Sequence, residues 1–300
     1  MQPSTDVRAA SHLPGVRALG SPCVGSWRLE GSLGEGRWTR VYRARPSAGC
    51  PHADYAVKVL RPEHEQDPVA IGLLRREAAV GRRVVHPHLV SVLAAHTEAP
   101  PFYIVTPCLE GATLRDTIRF AGRLDVPHAL WLVRQAAEAM RELHRHGWLH
   151  NDIKPDNVFV GVTGHVTLLD LGLCSPLRRG LAGAAAVAGS PAYAAPELHF
   201  AHAAASAACD IYSLGVTLYE SLTGGVPFPQ SSEEELRAAV LTRVPPDPRR
   251  VAPSVSSRVA RLLRRLLAKD PLRRPDADEL VDWLAELEIE TFDERKLASA

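Results

Sequence analysis

The amino-acid sequence changes its hydrophobic periodicity once, near residues 107–112. Before that point, segments such as 41–45 and 55–60 alternate polar and apolar side chains, as half-buried strands do. One helix interrupts them, because Asp67-Pro68 is a typical helix start. Its apolar stripe should comprise Ile71, Leu74, Ala78, Gly81 and Val85. Since helical spacing dominates after residue 113, the sequence predicts a small strand-rich lobe followed by a larger helical lobe.

The helical part opens with one long helix. Asp125 and Pro127 should begin it and Gly147 should end it, since these residue types are typical of the two boundaries. Its inward face is expected to consist of Leu130, Val133, Ala137, Met140 and Leu143. The other boundaries expected in the first lobe are strands near 89–95 and 102–106 and a helix end at Pro87.

Charge and cysteine usage exclude several classes of protein. The 300-residue chain has a formal net charge of +1, which gives no sign of a nucleic-acid-binding surface. Its five cysteines are scattered and odd in number, so a reducing, cytoplasmic compartment fits better than a disulfide framework. Charges interrupt the long apolar stretches, and no transmembrane helix is predicted. Residues 1–26, rich in Pro, Ser, Gly and Ala, should form a disordered tail, with a transit peptide as the alternative.

The run from His150 to Asn157, His-Asn-Asp-Ile-Lys-Pro-Asp-Asn, places three reactive groups in one short loop. Asp152 can orient a hydroxyl group and accept its proton. Lys154 can offset the charge of a moving phosphoryl group, and the amide oxygen of Asn157 can bind a metal ion. The loop therefore points to phosphoryl transfer.

Other segments fit the same chemistry, although each also has a structural explanation. Gly34 and Gly36 would let backbone amides approach phosphates closely, but a hairpin with two glycines is common. Lys58 lies on an apolar strand and could bind phosphates or extend to solvent. Glu77 could pair with Lys58 or be a solvated charge, and Asp170 could bind a metal or cap a turn.

In their chain order these segments resemble the motifs of the eukaryotic-like (Hanks-type) serine/threonine protein kinases. The matching segments are the glycine-rich loop at 33–41, Tyr55-Ala56-Val57-Lys58, the catalytic loop at 150–157, Asp170-Leu171-Gly172, and Ala195-Pro196-Glu197. The resemblance implies an α+β, bilobal protein-kinase fold over residues 27–287. The small β-rich N-lobe with one main helix would span 27–108 and the larger, mostly helical C-lobe 109–287, with a short C-terminal tail over 288–300.

The resemblance also implies roles for individual residues. Asp152 and Lys154 would be catalytic, and Asn157 and Asp170 would bind Mg²⁺ or Mn²⁺. Lys58 would hold the α- and β-phosphates of ATP. The full set expected to bind ATP is Leu33, Gly34, Glu35, Gly36, Val41, Ala56, Lys58, Glu77, Thr106, Pro107 and Leu109.

The same resemblance favours a protein substrate with a serine or threonine acceptor. The segment from Gly189 to Tyr193 and the Ala-Pro-Glu motif are usually absent from small-molecule kinases, which are the minor alternative. Ser190 should touch Asp152 and Lys154 through its hydroxyl, and Arg274 should pair with Glu197. Asp156 is a candidate contact for a basic substrate residue. The arginine-rich run 258–274 has leucines at helical spacing and predicts a structural helix rather than a nucleic-acid patch.

Four positions depart from the family pattern, namely Thr39, Gly81, Asn151 and Leu171. They leave a pseudokinase, acting as a nucleotide-binding scaffold or interaction module, as the alternative to an active enzyme. Asn151 replaces an arginine that often pairs with an activation-loop phosphate, and residues 176–189 contain no Ser, Thr or Tyr. Activity independent of activation-loop phosphorylation is therefore expected.

Gly81 stands where the family usually places a large apolar residue. A gap is expected there unless Val80 or Val84 fills it, and the helix carrying Glu77 should then be poorly held. A regulatory protein, or the N-terminal tail, would dock on that helix. On this reasoning Gly81→Leu should raise the basal activity.

Overall fold

The computed structural model describes residues 22–49, 52–177, 189–200, 204–230 and 232–291. Its first lobe is built on a six-stranded antiparallel sheet in the order β1-β2-β3-β4-β6-β5. The strands are β1 Cys23–Val24, β2 Trp27–Glu35, β3 Thr39–Pro46, β4 Tyr55–Leu60, β5 Ala94–His96 and β6 Tyr103–Pro107. Two register shifts, between Leu29 and Gly31 and between Ser32 and Gly34, interrupt the regular pairing of β2 with β3.

The sheet starts earlier in the chain than expected. β1 lies inside the predicted N-terminal tail, and Cys23 and Val24 pair with Arg28 and Trp27 of β2. The pairing is driven by the turn at Gly25, whose φ of 55° suits glycine. Residues 1–21 of the predicted tail, and residues 292–300 at the other end, lie outside the described part of the chain.

Helix α1, Pro68–Arg83, packs against the sheet and carries Glu77. The Asp67 side chain accepts hydrogen bonds from the backbone amides of Val69 and Ala70, which confirms the predicted start. The helix ends four residues before Pro87, because Val84 adopts an extended backbone with φ −101° and ψ 116°. The prediction for Val85 was wrong: that side chain is 74% exposed, and the buried stripe passes through Val84 instead.

The second lobe is mostly helical. Its helices are α2 Leu114–Ala121, α3 Val126–Arg145, α4 Ala207–Thr223, α5 Glu233–Thr242, α6 Ser257–Leu266 and α7 Ala277–Glu290. Short strands complete it: β7 Gly111–Thr113, β8 Trp148–Leu149, β9 Val158–Gly161, β10 Val166–Leu168 and β11 Ser175–Pro176. β7, β9 and β10 form one sheet, and β8 pairs with β11. The loop that bears Asp152 lies between β8 and β9.

Two helices organise the core of this lobe. α3 begins where the sequence predicts, with the Asp125 carboxylate accepting from the His128 amide, and all five residues of its expected inward face are buried. α4 is buried along its whole length from Cys209 to Leu222. A helix that is buried on every side lies in the middle of a fold, so α4 is a fixed element that supports the loops around it.

The arginine-rich run forms the helix that its leucines predict. Val259, Leu263 and Leu266 of α6 face the core, and the guanidinium of Arg265 lies 4.3 Å from the ring centroid of Trp283. α7 continues to Glu290, three residues past the expected domain boundary. Among the residues that the structure describes, no helix combines the length and apolarity that crossing a bilayer requires.

Candidate active site

Buried α4 holds the loop that follows β8. The carboxylate of Asp210 accepts a hydrogen bond from the backbone amide of His150 at 2.8 Å and another from that of Asn151 at 2.8 Å. Nε2 of His144 lies 2.9 Å from the same carboxylate. The ring of His150 in turn lies 3.0 Å from the carbonyl oxygen of Leu169. Because Asp210 is 1% exposed, this loop is fixed from inside the protein rather than by surface contacts.

Asp152 projects from this loop into a set of polar contacts. Its carboxylate lies 2.7 Å from Nζ of Lys154 and accepts a hydrogen bond from Nδ2 of Asn157 at 2.9 Å. The backbone amide of Ser190 donates to its other oxygen at 3.0 Å, and Nζ of Lys154 donates to Oγ of Ser190 at 2.7 Å. The expected contact between Ser190 and the two charged groups is therefore present, but its amide rather than its hydroxyl contacts Asp152.

A second cluster of charges joins the two lobes. Nζ of Lys58 on β4 donates to Glu77 of α1 at 2.6 Å and to Asp170, after β10, at 3.1 Å. The predicted ion pair with Glu77 is thus formed. Asp170 has φ 61°, a left-handed conformation that is uncommon outside glycine and that turns the chain sharply there. Three groups separated by up to 112 residues meet at one point.

The surroundings of Lys58, Glu77 and Asp170 raise the pKa values of the first two groups and lower that of the third. Burial raises the pKa of Glu77 to about 7, against the attraction of Lys58. The ammonium of Lys58 lowers the pKa of Asp170. Burial alone would lower the pKa of Lys58, but the two carboxylates outweigh it and raise that pKa. The lysine is therefore a permanent cation, and a proton added to the cluster goes to Glu77.

One face of the first-lobe sheet lies next to this lysine. Val41 is paired with Lys58 across β3 and β4, and Ala56 is paired with Thr106 across β4 and β6. Since residues two apart on a strand share a face, these four side chains line the same surface. Leu33 is half exposed at its edge.

The hairpin above this face is open. The amide of Gly36 donates to the carbonyl of Thr39 at 2.8 Å, which closes a tight turn between β2 and β3. A Cβ atom on Gly34 would meet nothing within 4 Å. No neighbouring side chain or backbone therefore crowds the chain at Gly34. At the opposite edge, the amide of Cys108 donates to the carbonyl of Asp54 at 2.9 Å, which ties the segment of Pro107 and Leu109 to β4.

The expected gap at Gly81 does not exist. A Cβ atom there would lie 2.6 Å from Cγ2 of Val92 and 3.4 Å from Cδ1 of Leu171. Val92, which precedes β5, fills the position. The prediction that α1 is poorly held at this point was therefore wrong. Docking of a regulatory protein on α1 stays a prediction, without the gap that motivated it.

Glu197 is bound deep in the second lobe. The guanidinium of Arg274 donates to it twice, at 2.6 and 2.8 Å, and also to the carbonyl of Ala208 at 2.8 Å. This bidentate pair is the one that the sequence predicts, and it holds the segment after Ser190 against the start of α4.

A sequence profile described as the protein kinase domain matches residues 27–283. The chain belongs to the protein kinase family. It is 31% identical over 262 residues to the serine/threonine-protein kinase PrkC of Bacillus subtilis (strain 168), covering 87% of this chain and 40% of that protein. It is 33% identical over 254 residues to the serine/threonine-protein kinase PknB of Mycobacterium leprae (strain TN), covering 83% of this chain and 40% of that protein. The chain thus spans about 40% of the length of these relatives. The predicted family and bilobal fold are confirmed.

Protein kinases use ATP with a divalent cation, and two side chains of this kinase suit the cation. Nδ2 of Asn157 donates to both the carbonyl and the carboxylate of Asp152, which leaves the amide oxygen for a metal. The side chain of Asp170 is 44% exposed, unlike the buried Glu77. Hard cations prefer such oxygen ligands, and magnesium commonly takes only one or two carboxylates besides phosphates and water.

Several structurally important residues of this kinase carried no signal in the sequence. His144 contacts the carboxylate of Asp210 that holds the loop of Asp152, but a histidine inside a helix is common and carries no signal of that contact. Arg115, on α2, contacts Asp156 although 41 residues separate them. No periodicity or motif could have placed that arginine beside the catalytic loop, since the contact depends on how α2 packs in three dimensions.

Proposed function

We propose that this chain is a serine/threonine protein kinase that transfers the γ-phosphoryl group of ATP to hydroxyl groups of proteins in the cytoplasm. The observation that carries the proposal is the pair of clusters described above. One presents a carboxylate and an ammonium from a rigid loop, and the other presents a lysine held between two carboxylates. The named relatives PrkC and PknB, which are serine/threonine-protein kinases, support the choice of acceptor.

Each group has a place in the transfer step. The acceptor hydroxyl is oriented by the carboxylate of Asp152, which takes its proton as the oxygen forms a bond to the γ-phosphorus. The bond from that phosphorus to the bridging oxygen breaks, and ADP leaves with the electron pair. Lys154 offsets charge on the transferred group, while Lys58 holds the α- and β-phosphates. A magnesium ion held by Asn157 and Asp170 would supply further neutralisation of phosphate charge.

The test is label transfer from γ-³²P-ATP with magnesium to generic protein substrates. Asp152→Asn, which keeps the size of the side chain, should abolish labelling while nucleotide binding is retained. Acid hydrolysis of the labelled product should release phosphoserine and phosphothreonine. Phosphotyrosine alone, or labelling that persists in Asp152→Asn, would contradict the proposal.

The pseudokinase alternative is favoured by Leu171 in place of phenylalanine and by Asn151 in place of arginine. It predicts that the protein binds ATP without turnover. The same assay separates the two functions, because a scaffold would show a nucleotide-dependent thermal shift and no labelled protein. Labelling of a small molecule instead of protein would identify a small-molecule kinase.

We further infer that activity does not require phosphorylation of the activation loop. Nδ2 of Asn151 donates to the carbonyl of Leu173 at 2.8 Å and to Oγ of Ser175 at 2.9 Å. These bonds tie the catalytic loop to the chain that follows Asp170, without any phosphate. Asn151 has φ 66°, a conformation that asparagine tolerates better than most residues. Residues 178–188, which lack hydroxyl side chains, lie outside the described part of the chain.

Phosphatase treatment of the purified protein tests this inference and should leave its activity unchanged. Asn151→Gly should lower activity, because glycine accepts φ 66° but loses both side-chain bonds. Ser175→Ala keeps one of the two bonds and should have the smaller effect. A large loss of activity on dephosphorylation, traced to a site within 170–197, would refute the inference.

A further inference from the structure

Arg115, in the first turn of α2, holds together three groups from distant parts of the chain. Its Nε and Nη2 atoms donate to the carboxylate of Asp156 at 3.2 and 3.1 Å. Nη1 donates to Glu220 of α4, and Nη2 also donates to the hydroxyl of Tyr193. That hydroxyl donates to the second oxygen of Glu220 at 2.5 Å. One guanidinium therefore satisfies two carboxylates and a phenol.

The side chains of Arg115, Asp156, Tyr193 and Glu220 form a pocket, and two of them come from the segments that contact Asp152. Asp156 directly precedes Asn157, whose amide donates to Asp152. Tyr193 follows Ser190 by three residues, and the Ser190 amide donates to Asp152 as well. Two of the three partners of Arg115 thus belong to the segments that hold the catalytic carboxylate. We therefore expect a polypeptide that brings its hydroxyl to Asp152 to pass next to them.

The charges of the pocket are those that would bind a basic side chain. Glu220 has a side chain that is 6% exposed, whereas that of Asp156 is 48% exposed. A buried carboxylate needs a cation, and a half-exposed one beside it completes a site for a guanidinium. Burial and the bond to Glu220 raise the pKa of Tyr193, which keeps its phenol neutral and able to donate. In this chain the cation that pairs with both carboxylates is the guanidinium of Arg115.

We propose that Arg115 occupies, from within the chain, an acidic subsite that would otherwise select protein substrates with arginine or lysine near the acceptor. Arg115 is thus a specificity-determining residue, and it makes the kinase indifferent to basic residues at the substrate positions that face this pocket. The inference rests on the proposed protein kinase function. It replaces the sequence expectation that Asp156 attracts a basic substrate residue, because Asp156 is already paired.

The experiment compares wild type and Arg115→Ala on a peptide library in which arginine is placed in turn at each position flanking one serine. At the positions where Arg115→Ala gains a preference, wild type should phosphorylate arginine and neutral peptides with kcat/KM values that agree within about twofold. Arg115→Ala should prefer arginine by about tenfold or more at one or two positions, which corresponds to about 1.4 kcal/mol. Arg119→Ala is the matched control, since Arg119 lies on the same helix with a 74% exposed side chain.

Arg115→Ala leaves the buried carboxylate of Glu220 without a cation, and this variant could fail to fold for that reason alone. Two further measurements separate such a folding defect from a change in specificity. Arg115→Ala combined with Glu220→Gln removes that charge, and should fold with a weaker arginine preference than the single variant. Ethylguanidinium should raise the melting temperature of Arg115→Ala but not that of Arg119→Ala. This readout needs no turnover.

The outcomes distinguish the inference from the function on which it rests. Unchanged peptide selectivity in a folded, active Arg115→Ala variant would overturn the inference alone, as would a wild type that already selects arginine tenfold at the positions that Arg115→Ala affects. Absence of an ethylguanidinium effect would also overturn it. If wild type phosphorylated no peptide or protein at all, the proposed function would fail and the inference with it.

Discussion

Replacing Gly81 by alanine should destabilise this kinase, although glycine-to-alanine changes inside helices usually stabilise. A Cβ atom at this position would lie 2.6 Å from Cγ2 and 3.3 Å from Cβ of Val92, and 3.4 Å from Cδ1 of Leu171. Carbon atoms pack at about 3.5–4.0 Å, so the new methyl group overlaps Val92 by roughly 1 Å. One of the two elements has to move.

The magnitude follows from two opposing effects. Alanine in place of glycine contributes about 1 kcal/mol to helix stability. Overpacking a well-packed core costs about 1–3 kcal/mol. The upper part of that range applies, because Val92 is β-branched with a stiff side chain and its amide donates to the carbonyl of Gly81 at 3.1 Å. We therefore expect a net loss of about 1–2 kcal/mol for Gly81→Ala, and a greater loss for Gly81→Leu.

Urea unfolding measures this loss, and the same helix supplies the matched control. A Cβ atom on Gly72 would meet nothing within 4 Å, so Gly72→Ala should stabilise by about 1 kcal/mol. Adding Val92→Ala to Gly81→Ala makes room for the methyl group. The double variant should be more stable than the sum of the single effects by about 1 kcal/mol.

Activity should fall together with stability at Gly81. The displaced Leu171 directly follows Asp170, and Glu77 lies one turn before Gly81, so both partners of Lys58 shift. Gly81→Leu should accordingly lower kcat/KM and not raise it. Two results would refute the reasoning: a Gly81→Ala variant as stable as Gly72→Ala, or a Gly81→Leu variant that is more active than wild type.

Two other predictions concern buried charges. Because burial raises the pKa of Glu77 to about 7, ATP affinity measured by calorimetry should fall as the pH is lowered through 7, and Glu77→Gln should keep only the pH dependence that the terminal phosphate of ATP itself contributes. Between about pH 4.5 and 7 the Glu77 carboxyl carries a proton in the native state but not in the unfolded state, so its protonation stabilises the native state as the pH falls. The protein should therefore lose ATP affinity on acidification without a matching fall in its melting temperature. Arg274→Met should lower the free energy of unfolding by about 3–5 kcal/mol, since Glu197 loses its partner. Adding Glu197→Gln should recover part of that loss in urea unfolding, and no recovery would contradict the ion-pair explanation.

The sequence predicts well what local chemistry decides. The start of α1 depends on Asp67 and the proline after it, and the structure forms that cap as expected. The charged residues of the site follow from short motifs whose spacing is set by single loops. The meeting of Lys58, Glu77 and Asp170 across 112 residues was accessible only through the family resemblance.

The failures occur where distant packing decides the outcome. Val92 fills the space beside Gly81, and no pattern within α1 predicts this contact. The stripe of α1 leaves its expected path at Val85, because the helix stops before Pro87 rather than at it. Arg115 is 41 residues from Asp156 and 105 residues from Glu220 in the sequence, so neither pairing could be predicted from local patterns.

The cost of removing the charges of Lys58 and Glu77 from water supports a catalytic rather than a structural role for this cluster. Lys58 and Glu77 have side chains only 19% and 7% exposed, and taking such charges out of water costs several kcal/mol per ion before their attraction is counted. Replacing a buried ion pair by apolar residues of similar size is often neutral or stabilising by about 1–4 kcal/mol. Lys58→Met combined with Glu77→Leu should thus be at least as stable as wild type in urea, since the half-exposed Asp170 remains hydrated. The double variant should nevertheless lose ATP binding and label transfer. A double variant that is much less stable would show that the cluster holds the lobes together, and one that retains label transfer would remove Lys58 from the mechanism.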